Sequence, residues 1–106
     1  MPKTDETTWT GSLNDAESKT LTVESAYATD VVLLVDDGTT DGTPASYDLT
    51  QRIRSDEFDR YQFYDELTNT TARSVVDTAA GQEWQVEITN VSGAPADYAV
   101  TLEARK

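Results

Sequence analysis

Residues 83–89 read EWQVEIT and residues 98–104 read YAVTLEA, and these two stretches decide the fold class. In the first, Trp84, Val86 and Ile88 alternate with charged and amide side chains. In the second, apolar or aromatic residues again occupy every other position. A period of two is the side-chain period of a strand with one face in a core and the other in solvent. Both stretches therefore predict antiparallel β-strands.

Shorter apolar runs earlier in the chain have the same strand-like spacing. Residues 30–36 enclose a continuous apolar run, which is typical of a strand buried on both faces. Between these runs lie clusters of Gly, Asp, Asn, Ser and Pro, the residues that form turns. Further strands are predicted at residues 8–13, 19–24, 47–53 and 73–78.

Residues 55–67 fit two secondary structures. A helix would place Phe58, Tyr61 and Tyr64 on one stripe, whereas the high aromatic content, with Tyr61 and Phe63 in alternation, fits a strand. We favour the strand. Seven or eight short strands without a long helical pattern predict an all-β protein, a single antiparallel β-sandwich of jelly-roll-like type.

The domain is expected to be single and to span residues 8–106, because the chain has the length of one domain and no inter-domain linker. Residues 1–7 are polar, and we expect them to form a flexible N-terminal arm. The longest apolar run, residues 31–35, is far shorter than a membrane span. We expect neither a signal peptide nor a transmembrane segment.

The residue inventory excludes several classes of function. The 106 residues include no Cys and no His, which removes disulfides, thiolate metal sites, cysteine nucleophiles and the commonest general base. No phosphate-binding Gly-rich loop and no nucleophile motif is present, so we expect a protein that is not an enzyme and holds no cofactor. The formal charge of −12 predicts repulsion from nucleic acids and anionic membranes, and we expect neither as a partner.

The acidic excess has a distinctive composition. Asp and Glu number 12 and 8, Thr numbers 17, and Lys numbers only 3. This Lys-poor, acid-rich and Thr-rich chain resembles the proteins of haloarchaea and their viruses. At molar salt the Debye length is about 3 Å, so self-repulsion is screened. The resemblance implies a halophilic archaeal source, with the protein located in a virion or in the cytoplasm.

A second resemblance covers the last part of the chain. Residues 80–90 (AGQEWQVEITN), followed through Gly93 by residues 97–102 (DYAVTL), are similar to the closing hairpin of accessory β-sandwich modules, including pre-peptidase C-terminal-type and jelly-roll domains. The resemblance implies the sandwich fold.

The Asp-rich segment after the third predicted strand is a candidate cation site. Counted from Asp37, the residues Asp37, Thr39, Asp41 and Asp48 stand at positions one, three, five and twelve of a calcium-loop pattern. Thr replaces an acid at the third position and Asp replaces the usual Glu at the twelfth. The alternative is a solvated turn made of turn-forming residues, so calcium is a secondary expectation.

Residues 52–64 form the most unusual segment, because their charges cancel in a chain of net charge −12. They also carry four of the nine aromatic residues. Arg and aromatic residues are enriched at the centres of protein interfaces. The alternative is that the aromatics fill the core and the arginines form surface ion pairs. The candidate interface residues are Arg52, Arg54, Phe58, Arg60, Tyr61, Phe63 and Tyr64.

Two classes of function follow from these patterns. The first is a non-catalytic structural or assembly protein that forms a homo-oligomer or joins a larger assembly, such as a capsid decoration protein of a tailed haloarchaeal virus. The second is a carbohydrate- or cation-binding module that uses residues 36–41 and exposed aromatics such as Trp9 or Tyr27.

Overall fold

The computed structural model describes residues 3–39, 42–55, 57, 59–78 and 81–106. These residues form eight strands and contain no helix, so no described segment is a helix able to cross a membrane. The all-β class is confirmed, and β5 confirms the strand assignment for residues 61–67. The strands are β1 (Lys3–Leu13), β2 (Ser18–Glu24), β3 (Asp30–Asp36), β4 (Tyr47–Arg54), β5 (Tyr61–Thr70), β6 (Ser74–Thr78), β7 (Glu83–Asn90) and β8 (Ala96–Arg105).

The strands form two antiparallel sheets. Sheet I has the order β1-β8-β3-β6, and sheet II has the order β2-β7-β4-β5. The first strand pairs with the eighth, the second with the seventh, the third with the sixth and the fourth with the fifth. This nesting describes one long hairpin, with its tip between β4 and β5, folded over into two layers. An eight-stranded double sheet of this kind is a jelly roll, so the jelly-roll expectation is confirmed.

This topology corrects the expectation of a closing hairpin. β7 pairs with β2 and β4 in sheet II, whereas β8 pairs with β1 and β3 in sheet I. The two strands that most clearly predict the fold therefore face each other across the core. Period-two alternation reports which face of a strand is buried and says nothing about which strand lies beside it.

The core lies between the inward faces of the two sheets. Trp84, Val86 and Ile88 of β7 are buried against the apolar side chains of β3 and β8. The Trp84 indole donates a hydrogen bond to the buried Gln51 side chain at 3.1 Å, so neither polar group is left without a partner. The buried apolar residues are Leu13, Leu21, Val23, Val31, Val32, Leu33, Val35, Tyr47, Leu49, Trp84, Val86, Ile88, Tyr98, Val100, Leu102 and Ala104.

The side of the sandwich formed by β1 and β2 is closed by contacts between the sheets. The Thr7 hydroxyl donates to the Thr22 carbonyl at 2.7 Å, and the Glu24 amide donates to the Asp5 carboxylate at 2.9 Å. The expectation of a flexible arm is therefore wrong for residues 3–7, which form the start of β1 and pair with the end of β8. Polar composition misled here because an edge strand exposed to solvent needs few apolar residues.

The opposite side is formed by the edge strands β5 and β6. β5 is interrupted by two irregularities in its register with β4. Gln51 pairs with Asp65 and Arg52 with Phe63, which leaves Tyr64 as an extra residue; the second irregularity contains Asn69, which has a φ of 48°. Such bulges limit the length of regular edge that a foreign strand can extend. An association at this side is therefore expected to use side chains.

Candidate functional site

The outer face of sheet II next to β5 brings together four of the residues that the sequence assigns to an interface. Arg52 and Arg54 project from β4 on the side opposite the core residues Leu49 and Gln51. Phe63 is the register partner of Arg52, and Tyr61 is the partner of Arg54. We call this surface the β5 face and define it as Arg52, Arg54, Tyr61 and Phe63.

Two ion pairs with β7 organise the arginines of the β5 face. Arg52 donates to Glu87 at 3.1 Å and to the Gln85 side chain at 3.3 Å. Arg54 forms a short contact with Glu83 and lies 3.8 Å from the exposed Asp59. The two arginines and two glutamates make a locally neutral ladder across the sheet. The predicted alternative, in which these arginines form surface ion pairs, therefore describes their contacts correctly.

Tyr61 is fixed by the same ladder. Its hydroxyl donates to the Glu83 carboxylate, which also accepts from Arg54. These two hydrogen bonds hold the pKa of Glu83 below its usual value, and the bond from Arg54 has the larger effect. Burial, followed by the contact with Glu83, raises the pKa of Tyr61. The carboxylate is thereby kept ionised and the phenol neutral, so this part of the face stays charge-balanced.

Phe63 differs from its neighbours because its ring is 64% exposed. It lies at the margin of the ladder, on an edge strand, with the exposed acids Asp65 and Glu66 following it in the chain. No ring contact involving Phe63 is found among the described residues. An exposed Phe beside arginines matches the residue types that dominate binding energy at protein interfaces.

Tyr64 occupies a different place from Phe63, although the two are adjacent in sequence. Its hydroxyl donates to Asp77 of β6 at 3.0 Å, so the side chain links the edges of the two sheets. This hydrogen bond, with a smaller contribution from burial, raises the pKa of Tyr64. Arg60 is exposed in the connection before β5, and Phe58 lies outside the described residues. The structure thus brings four of the seven interface candidates onto one face and turns Tyr64 to the neighbouring edge.

Sequence reasoning missed two exposed apolar residues on the outer face of sheet I, on the opposite side of the sandwich from the β5 face. Val76 of β6 is exposed, and Leu34 of β3 is only partly covered. The prediction of burial on both faces of β3 fails at Leu34, because β6 pairs beside it with the small Ser74. A depression of about 350 Å3 adjoins Leu34, with Asp36 and Arg73 also in its lining. Of the five exposed large apolar residues in the described part of the chain, all but Tyr27 lie on β3, β5 and β6.

The described members of the candidate cation site, Asp37, Thr39 and Asp48, are not gathered into a metal-binding cluster. The Asp37 carboxylate accepts hydrogen bonds from the Thr39 hydroxyl at 2.7 Å and the Thr39 amide at 2.9 Å, which lower the pKa of Asp37 and shape a tight turn. Asp48 lies in β4, and its carboxylate accepts a hydrogen bond from the backbone N–H of Asn69 at 2.7 Å. Asp41 is outside the described residues, among which no group of three or more acids suited to a metal occurs.

The aromatics assigned to a binding module also separate. Trp9 is half-buried against the core, and the Lys19 ammonium lies 5.6 Å from its ring centroid, so this pair helps to close the β1 and β2 side. Tyr27 is 82% exposed in the connection between β2 and β3. A pocket of about 300 Å3 lies elsewhere, at the loop end of sheet I. Its lining includes Thr10, Ser12, Asp37, Thr39 and Asp97.

Comparisons with known proteins bear on the fold. No model of a protein family and no curated protein matches this chain. The crystal structure of a mitogen from Yersinia pseudotuberculosis is similar, with a TM-score of 0.65 and 11% identity over 95% of this chain and 86% of the mitogen. PliG from Aeromonas hydrophila, a periplasmic inhibitor of g-type lysozyme, is also similar, with a TM-score of 0.62 and 4% identity over 95% of this chain and 87% of PliG. A de novo designed double-stranded β-helix has a TM-score of 0.49 and 12% identity over 92% of this chain and 99% of the design. At such identities, the likeness to the mitogen and to PliG shows the fold alone.

Proposed function

We propose that the protein is a non-catalytic structural protein that associates with a second copy of itself through the β5 face. The observation that supports this proposal is the exposed Phe63 beside the neutral Arg and Glu ladder, on a chain of net charge −12. Association would cover the aromatic edge where charge repulsion between copies is least.

The charge pattern of the β5 face favours a second copy as the occupant. The ladder carries Arg52 and Arg54 together with Glu83 and Glu87, so both signs are present in equal number. A two-fold interface presents the same patch from both subunits and must be complementary to itself. A patch of alternating sign meets this requirement, because arginines of one copy can lie opposite glutamates of the other.

The setting that we propose is a larger assembly at high salt, with a capsid decoration protein of a haloarchaeal tailed virus as the specific case. Jelly rolls recur in viral capsid proteins, which fits this setting but does not select it over the other uses of the fold. The acidic composition supports the high-salt part of the proposal. Neighbouring genes that encode capsid and tail proteins would support the virion, whereas neighbours that encode a glycoside hydrolase would count against it.

Sedimentation velocity in about 2 to 3 M KCl tests the association itself, since repulsion between copies is screened at this salt. The wild type is expected to form a defined oligomer. Phe63→Ser should weaken association about 10- to 100-fold, the value of burying one aromatic side chain at an interface. Tyr27→Ser is the matched control, because it removes an exposed aromatic outside the β5 face. A wild type that stays monomeric, or equal loss in both variants, would refute the proposal.

The pocket at the loop end of sheet I supports a second candidate function, a carbohydrate- or cation-binding module. Its volume of about 300 Å3 and its hydroxyl and carboxylate lining suit a small polar ligand. Calcium or a glycan bound there would raise the melting temperature by mass action. Asp97→Asn should abolish such a shift. Absence of any shift at millimolar calcium or glycan would exclude this alternative.

A further inference from the structure

We infer that the self-association proposed above is gated by ionic strength through acids at the margin of the β5 face, chiefly Asp65 and Glu66. This inference rests on the proposed function and specifies how the same surface is regulated. It predicts that two copies dissociate in dilute buffer and associate in concentrated salt.

The placement of the acids supports the gate. Asp65 and Glu66 are exposed on the edge strand, two and three residues after Phe63, and neither forms an ion pair with a described residue. Glu66 is the register partner of Thr50, whose side chain lies on the same outer face as Arg52. Asp65 is the register partner of the inward-facing Gln51, so it lies at the open edge beside that face. Glu83 and Glu87 differ because arginines neutralise them. The centre of the surface is therefore balanced, while its margin carries uncompensated negative charge.

A second copy on this face would bring the two acidic margins close together. The sandwich measures 40 × 27 × 18 Å, so the charges of stacked copies lie within one molecular width. At 0.1 M salt the Debye length is about 10 Å, and the repulsion reaches across a contact; at 1 M it is about 3 Å, and only touching charges interact. The favourable free energy of burying Phe63 is not screened by concentrated KCl, since it depends on the apolar area that is removed from water.

The affinity of self-association therefore rises with salt. We expect the dissociation constant to fall about 100-fold or more between 0.1 M and 3 M KCl, given two bodies of formal charge −12 within about three Debye lengths at the lower salt. Surface association driven by ion pairs between oppositely charged partners would weaken over the same range. The sign of the salt dependence thus separates the two kinds of interface.

Sedimentation equilibrium at 0.1, 0.5, 1 and 3 M KCl tests the gate, with circular dichroism at each salt to verify that the protein is folded. The double variant Asp65→Asn with Glu66→Gln should associate at 0.1 M KCl about tenfold more tightly than the wild type, because four like charges leave each dimer contact. The control is Asp30→Asn with Asp36→Asn, which removes the same charge from the two ends of β3, on the outer face of sheet I. It should change the affinity at 0.1 M less than twofold.

The outcomes separate the two proposals. A protein that is monomeric at every salt overturns the proposed function and the gate together. A dimer with the same affinity at 0.1 and 3 M KCl overturns the gate and leaves the proposed function standing. Salt-dependent association that responds equally to both double variants overturns the role of Asp65 and Glu66. A selective gain in the Asp65 and Glu66 variant supports the gate.

Discussion

Replacement of Tyr47 by Phe is expected to change how the stability of the protein depends on alkaline pH. Tyr47 begins β4 and is fully buried, with its ring edge-on to that of Tyr98 at a centroid distance of 6.4 Å. Its hydroxyl donates to the Ala72 carbonyl at 2.6 Å, which ties β4 to the connection between β5 and β6. Burial, with a smaller contribution from Tyr98, raises the pKa of Tyr47 to about 12.

The magnitude follows from the difference between the folded and unfolded pKa values of Tyr47. The unfolded value is 10.0, so the folded protein holds this proton more tightly than the unfolded chain does. The stability that the neutral phenol contributes is therefore complete below pH 10 and is lost as the pH rises towards 12. Two pH units correspond to about 2.7 kcal/mol in the free energy of unfolding, of which about 1.4 kcal/mol is lost by pH 11.

Tyr47→Phe removes both the hydrogen bond and the titration. At pH 8 the variant should be less stable by about 1 kcal/mol, the usual net value of a buried hydrogen bond. At pH 11 the wild type has lost about 1.4 kcal/mol that the variant cannot lose, so the difference in stability should vanish or reverse slightly. Tyr61, Tyr64 and Tyr98 are present in both proteins, and their titration cancels in the difference.

Urea denaturation between pH 8 and pH 11, followed by tryptophan fluorescence at constant high salt, measures this difference. Tyr27→Phe is the matched control, because the same atom is removed from a side chain that is 82% exposed. The control should follow the wild type at every pH. A Tyr47→Phe variant whose deficit is the same at pH 8 and pH 11 would show that burial does not hold the phenol neutral, and would refute the reasoning.

Three further predictions concern other parts of the fold. Asn90→Ala should lower the free energy of unfolding by about 2 to 4 kcal/mol in urea denaturation, because the buried amide bridges two backbone carbonyls at 2.8 and 2.9 Å; a loss under about 1 kcal/mol would contradict this role. Gly81→Ala should lower the melting temperature sharply, since Gly81 has a φ of 83° and an added Cβ would lie 2.6 Å from the Arg54 carbonyl oxygen; an unchanged melting temperature would count against this backbone packing. Glu83→Gln should make acid unfolding shallower below pH 4.5, because the lowered pKa of Glu83 contributes stability that is lost as the pH falls; identical acid profiles would refute the contribution of the Arg54 and Tyr61 hydrogen bonds.

The strand assignments could be made from sequence where one face of a strand is buried. β7 alternates buried and half-buried residues along its whole length, and Asp30–Asp36 has the bounds that its apolar run predicts. The arm was mispredicted because residues 3–7 are stabilised by backbone pairing with β8, which leaves no apolar signature. Leu34 was placed in the core because an apolar run looks the same whether or not a neighbouring strand covers its outer side.

The candidate surface was partly predictable for a similar reason. The neutral charge and aromatic content of residues 52–64 are visible in the sequence, and they led to Arg52, Arg54, Tyr61 and Phe63. The sequence could not show that Tyr64 turns away, since a bulge shifts the alternation at that residue. Nor does the alternation in residues 98–104 show that Glu103, between Leu102 and Ala104, is 7% exposed and accepts hydrogen bonds from Arg105 on both carboxylate oxygens.

The amino-acid sequence by itself determined the all-β class, most strand positions, the absence of Cys and His chemistry and the acidic surface. Each of these depends on composition or on contacts along one strand, and both can be read along the chain. Only the tertiary structure decided that β7 and β8 lie in different sheets, that Phe63 and Tyr64 diverge, and that Leu34 and Val76 reach the surface. These features depend on which distant strands pair, and more than one pairing satisfies the same alternation of apolar and polar residues.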